Sequence, residues 1–300
     1  MTLRLGIDLG GTKTEIIAMR QDSDTPLVRR RINTVRTYEG VIKGIKELVD
    51  GVESELGETG TVGVGIPGAI SPATGLVKNA NSTWIIGKPL DKDLAKALNR
   101  PVRVTNDADC LALSEATDGA GAGYDIVWAV ILGTGAGSGI VAYKRLLQGP
   151  NAICGEWGHN PLPFLTEEEK QATPCYCGKA GCIEKMVSGT GLMQDYERET
   201  GKTKTGAEIV AAAENGDEKA EIVLRRYEDR LARATAGVIN ILDPHVVVLG
   251  GGASNIERLY ASLPKLWEKY VFSDTVRTKL VKAKYGDSSG VRGAAWLWNS

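Results

Sequence analysis

A strand–glycine turn–strand arrangement occurs twice along this chain, and it is the feature that most constrains the fold. In the first copy the apolar strand Leu3–Asp8 leads into the turn Gly10–Lys13. In the second copy the strand Ile126–Leu132 leads into the turn Gly133–Gly137. A glycine turn between two strands indicates a hairpin, whereas dinucleotide and P-loop fingerprints require a strand followed by a helix. The repetition predicts an internally duplicated α/β protein with one glycine hairpin in each half.

The glycine turns are candidate anion-binding sites. Successive backbone N–H groups in such a turn can surround a phosphate, and Lys13 adds a positive charge to the first one. A third run, Gly250–Gly252, lies between a predicted strand and a predicted helix. The absence of side chains there suits contact with a flat group such as adenine or ribose, although a packing turn explains these glycines equally well.

Four candidate metal ligands lie within the segment 155–184. His159 is followed by Cys175, Cys177 and Cys182, the cysteines in a C-x-C-x4-C pattern. Thiolate and imidazole ligands favour Zn²⁺ over Mg²⁺ or Ca²⁺, and four of them predict a closed, structural site. Free buried thiols or one disulfide are the alternatives. The five cysteines are an odd number, and no secretion signal is evident, so we expect a reducing cytoplasm and no disulfides.

The composition is that of an ordinary globular protein. Hydrophobic residues make up 42% and charged residues 24% of 300 residues, enough for one large or two ordinary domains. The formal net charge of -1 gives no electrostatic basis for binding nucleic acid or an anionic membrane. No apolar run reaches the length of a membrane span. We therefore expect neither nucleic acid nor a membrane as a partner.

Polar residues follow two of the predicted strands. The loop Asn79–Trp84 combines two amides, two hydroxyls and an indole, a set that suits a polyol, although asparagine-rich loops are commonly turns. Asn106 and Asp107 stand between a predicted strand and the predicted helix 108–116. A carboxylate held rigidly at a strand end can accept the proton of a hydroxyl nucleophile. The alternative role of Asp107 is that of a helix N-cap.

Two helices are predicted in the last third of the chain. The segment Asp217–Leu242 carries apolar residues at helical spacing and predicts a long helix that faces the core. The last helix, near Ser289–Trp298, contains Gly290, Gly293 and two alanines. Such small residues permit close packing, so we expect this helix to cross back to the first half.

Together these motifs resemble the ROK family, which contains sugar kinases and sugar-responsive repressors. The resemblance rests on the two glycine turns, the Glu156-x-Gly158-His159 element and the C-x-C-G-x-x-G-C-x-E element that ends at Glu184. It covers essentially the whole chain, and the cysteine element is its most specific part. Within the family, the loop Asn79–Trp84 and the long spacer between His159 and Cys175 resemble bacterial fructokinases, including the manno(fructo)kinase type.

The resemblance implies an actin-like, ribonuclease-H-type fold, which is a duplicated two-domain sugar kinase fold with a zinc-binding loop. The two α/β domains would flank a cleft that holds ATP and sugar. We expect residues 1–118 to form a small domain, with the helix 288–300 packed back on it. Residues 119–287 would form a large domain that includes 155–184. We also expect a cytoplasmic homodimer.

The same resemblance assigns roles to individual residues. Asp107 would be the catalytic base, Asp8 would help place Mg²⁺ through water, and the zinc would be structural. The residues expected to bind sugar are Gly68, Asn81, Asn106, Asp107, Glu156, His159 and Glu184. The residues expected to bind ATP are Gly10, Gly11, Thr12, Lys13, Gly133, Thr134, Gly135, Gly137, Gly251 and Gly252.

The function expected from the resemblance is ATP-dependent phosphorylation of a hexose, preferably of D-fructose to fructose 6-phosphate. Mannose, glucose and N-acetylhexosamines are alternative acceptors. A non-catalytic, sugar-sensing protein like the family's repressors is an alternative of another class. Those repressors carry a DNA-binding helix-turn-helix before the first glycine hairpin, and here that hairpin begins at residue 8. We therefore expect a kinase.

Overall fold

The computed structural model describes residues 3–20, 23, 25–170 and 174–299. The chain forms two compact units, the first comprising Met1–Gly123, Gly139–Cys154 and Asp287–Ser300, the second Tyr124–Ser138 and Gly155–Gly286. Residues 139–154 belong to the first unit because Gly139 packs directly on a helix there; a Cβ at Gly139 would lie 2.6 Å from the carbonyl oxygen of Ala108. The predicted domain limits, which keep 119–287 together, stay a prediction.

The described residues form strands and helices in alternation. The strands are β1 Leu3–Leu9, β2 Lys13–Arg20, β3 Val28–Asn33, β4 Thr61–Ile66, β5 Ala69–Ile70, β6 Val77–Lys78, β7 Val102–Asn106, β8 Ile126–Leu132, β9 Ala136–Ala142, β10 Arg145–Leu146, β11 Val246–Gly250 and β12 Lys279–Lys282. The α-helices are α1 Tyr38–Leu56, α2 Leu90–Leu98, α3 Asp107–Thr117, α4 Glu167–Lys170, α5 Glu184–Val187, α6 Gly189–Thr200, α7 Gly206–Glu214, α8 Glu218–Leu242, α9 Leu259–Trp267 and α10 Ser289–Trp296. None of these helices is long and apolar enough to cross a membrane.

Two five-stranded sheets repeat one pattern. The first has the order β3-β2-β1-β4-β7, and the second has the order β10-β9-β8-β11-β12. In the first sheet β1 and β2 form an antiparallel hairpin, with Asp8 opposite Glu15, and β4 and β7 continue in parallel. In the second sheet β8, β11 and β12 are likewise parallel. Each glycine turn thus joins the first two strands of its sheet, as the sequence repeat predicts.

The core of the first unit lies between its sheet and amphipathic helices. Leu5, Ile7 and Ile16 of the sheet are fully buried, and they pack with Ile45 and Val49 of α1. Burying each side chain of this size removes apolar surface worth about 1.5–3 kcal/mol from water. The sheet therefore holds the strand ends that carry polar residues in fixed positions.

Helix α10 packs on β1, β4 and α3 at backbone distance. A Cβ at Gly63 would lie 1.9 Å from the carbonyl oxygen of Ala294, and a Cβ at Gly6 would lie 2.1 Å from that of Val291. The indole of Trp298, just beyond the helix, donates to the carbonyl oxygen of Val62 over 2.7 Å. Small residues on both surfaces, as expected from the sequence, permit this contact.

Candidate functional site

The junction of β7 and α3, residues 105–108, brings together three of the predicted site residues. Asn106 caps α3 by accepting a hydrogen bond from the amide of Ala108 over 2.8 Å, and its side-chain amide donates to the carbonyl oxygen of Gly68 over 3.1 Å. Asp107 is the first helical residue, and its Oδ1 also lies 2.8 Å from the Ala108 amide. The structure therefore gives the N-cap role to Asn106, which leaves Asp107 a partly exposed carboxylate at a rigid strand end.

Asp8 lies at the end of β1 in an acidic environment. Burial of its carboxylate, together with the charges of Asp107 and Glu15, raises the pKa of Asp8 to about 7, and the positive charge of Arg31 opposes this shift. A residue larger than glycine at position 290 would crowd this carboxylate, because its Cβ would lie 3.4 Å from Oδ2. Hard cations favour oxygen ligands, and a bound cation reverses such a pKa shift. Asp8 and Asp107 offer the carboxylate oxygens that Mg²⁺ prefers, and the magnesium role of Asp8 stays a prediction.

The first glycine turn presents its amides rather than its carbonyls. Thr34 donates from its hydroxyl to the carbonyl oxygen of Gly10 and from its amide to that of Thr12, each over 2.9 Å. Arg36 donates to the carbonyl oxygen of Gly11 over 3.3 Å. Among the described residues, the amides of Gly11 and Thr12 have no hydrogen-bond acceptor. Orphan amides in sequence form a nest that suits a phosphate.

The second glycine turn is tied to a predicted sugar-binding residue. Glu184 Oε2 accepts a hydrogen bond from the amide of Ala136 over 3.0 Å. A Cβ at Gly135 would lie 2.5 Å from the same oxygen, so a larger residue there would displace the Glu184 carboxylate. Gly133 accepts a hydrogen bond from the amide of Gly189 over 2.7 Å. The predicted phosphate turn and Glu184 are therefore parts of one arrangement in the second unit.

In the third glycine run, Gly250–Gly252, one glycine fits a packing turn and its neighbour fits contact with a flat ligand. Gly251 has a φ of 78°, and a Cβ there would lie 2.7 Å from the carbonyl oxygen of Leu132. It is therefore a packing glycine. A Cβ at Gly252 would meet no atom within 4 Å. Gly252 thus offers bare backbone for contact with a flat ligand.

The cysteine segment, residues 175–182, folds beside His159 with the geometry of a metal site. The ligand atoms of His159, Cys175, Cys177 and Cys182 all lie within 4.8 Å of one another. The Cys177 and Cys182 sulfurs are 3.6 Å apart, as are the Cys175 sulfur and Nδ1 of His159. A tetrahedral zinc with Zn–S bonds of about 2.3 Å places its sulfurs about 3.8 Å apart. The residues therefore fit zinc, and the separation is too long for a disulfide.

The neighbouring thiols of the cysteine segment affect one another's ionisation. Burial and the neighbouring sulfurs raise the pKa of Cys182 to about 12. The amide of Lys179, acting with hydrogen bonds from the other cysteines, lowers the pKa of the exposed Cys177 to about 7. One thiolate forms readily while its neighbour resists ionisation. A divalent cation removes this conflict, since it stabilises all the thiolates at once.

His159 uses both ring nitrogens. It lies in the 3₁₀ turn Trp157–His159, which places Nδ1 toward Cys175. Its Nε2 lies 2.9 Å from the hydroxyl of Tyr176, and the two rings meet edge to face with centroids 5.1 Å apart. Tyr176 is the unspecified residue of the C-x-C pattern, and the sequence analysis assigned no role to it. Glu156, just before the turn, is exposed.

The spacer between His159 and the cysteine segment is held by buried ion pairs. Glu169 of α4 accepts hydrogen bonds from Arg230 over 2.8 Å and from Arg233 over 2.7 Å. Burial acts to raise the pKa of Glu169, but these two arginines outweigh it and lower the pKa to about 2. Arg233 also donates to the carbonyl oxygens of Pro163 and Phe164. Residues 171–173 of the spacer lie outside the described chain.

In the polar loop Asn79–Trp84 of the first unit, the structure distinguishes Ser82 from its neighbours, which composition alone did not do. Asn81 is exposed, as expected for a ligand-binding side chain. The hydroxyl of Ser82, by contrast, is buried without a hydrogen-bond partner in the described chain. It lies 3.6 Å from the position that a Cβ on Gly11 would take. The loop therefore packs against the first glycine turn.

Comparison with known proteins identifies relatives along the whole chain. The sequence model of the ROK family matches residues 4–300. The N-acetyl-D-glucosamine kinase of Vibrio cholerae is 40% identical over 296 residues, which cover 97% of this chain and 98% of that protein. The enzyme of the same name from Yersinia pseudotuberculosis is 37% identical over 296 residues, with 97% of each chain covered.

Solved structures agree with this result. The ROK hexokinase of Thermus thermophilus is 29% identical and superposes with a TM-score of 0.86, over 98% of this chain and 97% of that one. A ROK family glucokinase from Streptomyces griseus, crystallised with glucose and AMPPNP, is 26% identical with a TM-score of 0.78, and 98% of each chain is covered. The predicted actin-like, duplicated α/β fold is confirmed.

Proposed function

Because the chain belongs to the ROK family, we propose that it is an ATP-dependent sugar kinase whose preferred acceptor is N-acetyl-D-glucosamine. The observation that carries the proposal is the end-to-end match to kinases of that name, at 40% and 37% identity. The phosphate nest and the partly exposed strand-end carboxylate of Asp107 are parts that such a reaction requires. The homodimer and the cytoplasmic location stay predictions.

The residues of the first unit perform the transfer in this proposal. The amides of Gly11 and Thr12 bind phosphate oxygens, and Asp8 holds Mg²⁺ through water. Mg²⁺, when bound, neutralises charge on the phosphates that move apart. Asp107 accepts the proton of the primary 6-hydroxyl as its oxygen bonds to the γ-phosphorus, and ADP leaves. Asn106 fixes the start of α3, so it holds Asp107 in place for that step.

The residues of the second unit recognise the sugar in this proposal. Glu156, His159 and Glu184 offer two carboxylates and a ring N–H to sugar hydroxyls. A zinc held by His159, Cys175, Cys177 and Cys182 would orient the imidazole, and four protein ligands would leave it a structural role. An acceptor with one wrongly placed hydroxyl leaves a buried polar group unpaired, which costs about 1–3 kcal/mol. Discrimination among hexoses should therefore be about ten- to a hundredfold.

The comparisons do not support fructose as the preferred acceptor. That expectation used the composition of the loop Asn79–Trp84 and the length of the spacer after His159. In the structure the spacer serves to bind α8, through Glu169 and its two arginines. The length of the spacer is therefore explained by how the cysteine segment is anchored, and it is not an argument for any one sugar. We propose the N-acetylhexosamine alternative in its place.

An acceptor panel tests the proposal. ADP formation is measured at saturating MgATP with N-acetylglucosamine, N-acetylmannosamine, glucose, mannose and fructose, and kcat/KM is compared. We expect N-acetylglucosamine to exceed fructose by about tenfold or more. A higher kcat/KM for fructose would restore the earlier expectation and overturn the acceptor assignment. Absence of sugar-dependent ADP formation with every hexose would overturn the kinase itself.

A further inference from the structure

Tyr176 is the residue of the cysteine segment that has no assigned role. It is 82% exposed, although it stands between two predicted zinc ligands, Cys175 and Cys177. Exposed tyrosines ordinarily direct their hydroxyl to water. This hydroxyl instead lies 2.9 Å from Nε2 of His159, and the ring stands at 88° to the imidazole.

His159 has one proton to donate at Nε2. Its Nδ1 faces the sulfurs of the cysteine segment, 3.6 Å from that of Cys175. With Nδ1 on a cation, the ring proton is fixed on Nε2, so this nitrogen only donates. A single N–H serves one strong acceptor at a time. The phenol oxygen and a sugar oxygen therefore exclude each other on His159.

We propose that Tyr176 is a specificity residue whose phenol occupies the sugar's position on His159 Nε2 in the sugar-free protein. This inference rests on the proposed function, in which His159 binds the acceptor. A sugar that presents an oxygen to Nε2 displaces the phenol and takes its hydrogen bond. Displacement is inexpensive because so much of Tyr176 is already in water, and the ring gives up little packing. A sugar without an oxygen at that place leaves the phenol where it is.

If the phenol of Tyr176 holds the sugar's place on His159, which we call its placeholder role, a conservative substitution should change sugar affinity in a predictable direction. Tyr176→Phe keeps the ring but removes the competing hydroxyl, so the sugar no longer has to break a hydrogen bond. Sugar binding should become tighter by about two- to tenfold, the range of one net hydrogen bond. The KM for ATP should not change, because the phosphate nest is formed by other residues.

The test measures binding of N-acetylglucosamine to the zinc-loaded protein by calorimetry, without ATP, for wild type and Tyr176→Phe. Tyr143→Phe is the matched control, since Tyr143 is 69% exposed and belongs to the first unit, whereas His159 belongs to the second. Zinc content is determined for each protein, so that loss of the metal is recognised. Tighter binding by Tyr176→Phe alone, at equal zinc content and unchanged KM for ATP, is the expected result.

Other outcomes overturn the inference in distinguishable ways. Equal or weaker binding by Tyr176→Phe, with a wild type that binds and phosphorylates the sugar, overturns the placeholder role and leaves the kinase assignment intact. A similar gain in Tyr143→Phe shows a nonspecific effect and also overturns it. Absence of both sugar binding and phosphorylation in the wild type overturns the proposed function, and this inference with it.

Discussion

The β7–α3 junction and the cysteine segment hold their functional side chains by different physical means. The junction continues a buried sheet, and α3 beyond it buries Cys110, Leu111 and Ala112. Residues 176–180 of the cysteine segment are exposed, and the isolated β-bridge between Pro161 and Cys182 lies outside the strands of both sheets. Packing therefore positions Asp107, whereas His159 lies in the metal-ligand cluster, where bonds to zinc would position it. The two regions should respond to different perturbations.

Asp107→Asn should have the largest effect on catalysis. The amide keeps the shape at the junction but cannot accept the proton of the 6-hydroxyl, so kcat should fall by about 10²–10⁴-fold. Sugar affinity and thermal stability should stay near those of the wild type, because the packed core is unchanged. Steady-state kinetics measures kcat, and calorimetry measures sugar affinity and thermal stability. Asp50→Asn, an exposed change on α1, is the control, and turnover near wild type in Asp107→Asn would remove the base assignment.

Cys177→Ser should affect the other region. Losing one thiolate should weaken zinc binding by about 10- to 100-fold or more and release His159. The KM for sugar should rise, and the KM for ATP should not change. The wild type should contain about one zinc per chain, and the variant should contain less. Cys154→Ser, which lies outside the cluster, is the control. Equal zinc content in Cys177→Ser and wild type would show that these residues are not the metal site.

Glu169→Gln should affect stability more than chemistry. It removes one of two carboxylate partners from each buried arginine, since Arg230 keeps Asp195 and Arg233 keeps Asp229. The free energy of unfolding of the second unit should fall by about 1.5–3 kcal/mol, the range for hydrogen bonds to charged groups. Because the pKa of Glu169 is lowered from 4.5 to about 2, its stabilisation is present above pH 4.5 and is lost as the pH falls toward 2.

Urea unfolding of wild type and Glu169→Gln at pH 7 and pH 3 measures this dependence. The difference between the two proteins should shrink at the lower pH, and kcat at pH 7 should change little. A difference that stays constant between pH 7 and pH 3 would show that the carboxylate's charge does not stabilise the spacer.

Local features of the site could be predicted from sequence, and contacts between distant residues could not. The four predicted zinc ligands lie close together in the chain, so their spacing alone identifies them as candidates. The pairing of Asn106 with Gly68 joins residues 38 positions apart, and that of Glu184 with Ala136 spans 48 positions. Neither pair has a local pattern that reveals its partner. Asn106 and Glu184 can be identified as polar from the sequence, but only the fold brings them to the backbone groups of Gly68 and Ala136.

The acceptor sugar is the part that sequence composition predicted least well. The loop Asn79–Trp84 contains suitable polar groups, but Ser82 turns its hydroxyl into the protein beside Gly11 while Asn81 is exposed. A list of side chains does not say which of them face a ligand. The proposed role of Tyr176 could not be predicted for a related reason, because the contact of its hydroxyl with His159 joins residues 17 positions apart.

The most direct test of the account is the product formed by the wild-type protein. Equimolar ATP and N-acetylglucosamine are incubated with the zinc-loaded enzyme and Mg²⁺, and the products are examined by ³¹P and ¹³C NMR. We predict one ADP for each sugar phosphate, with phosphorus coupling to carbon 6 of the sugar. ADP with free phosphate and unmodified sugar, or a phosphate on another carbon, would contradict the proposed transfer to a 6-hydroxyl held at Asp107.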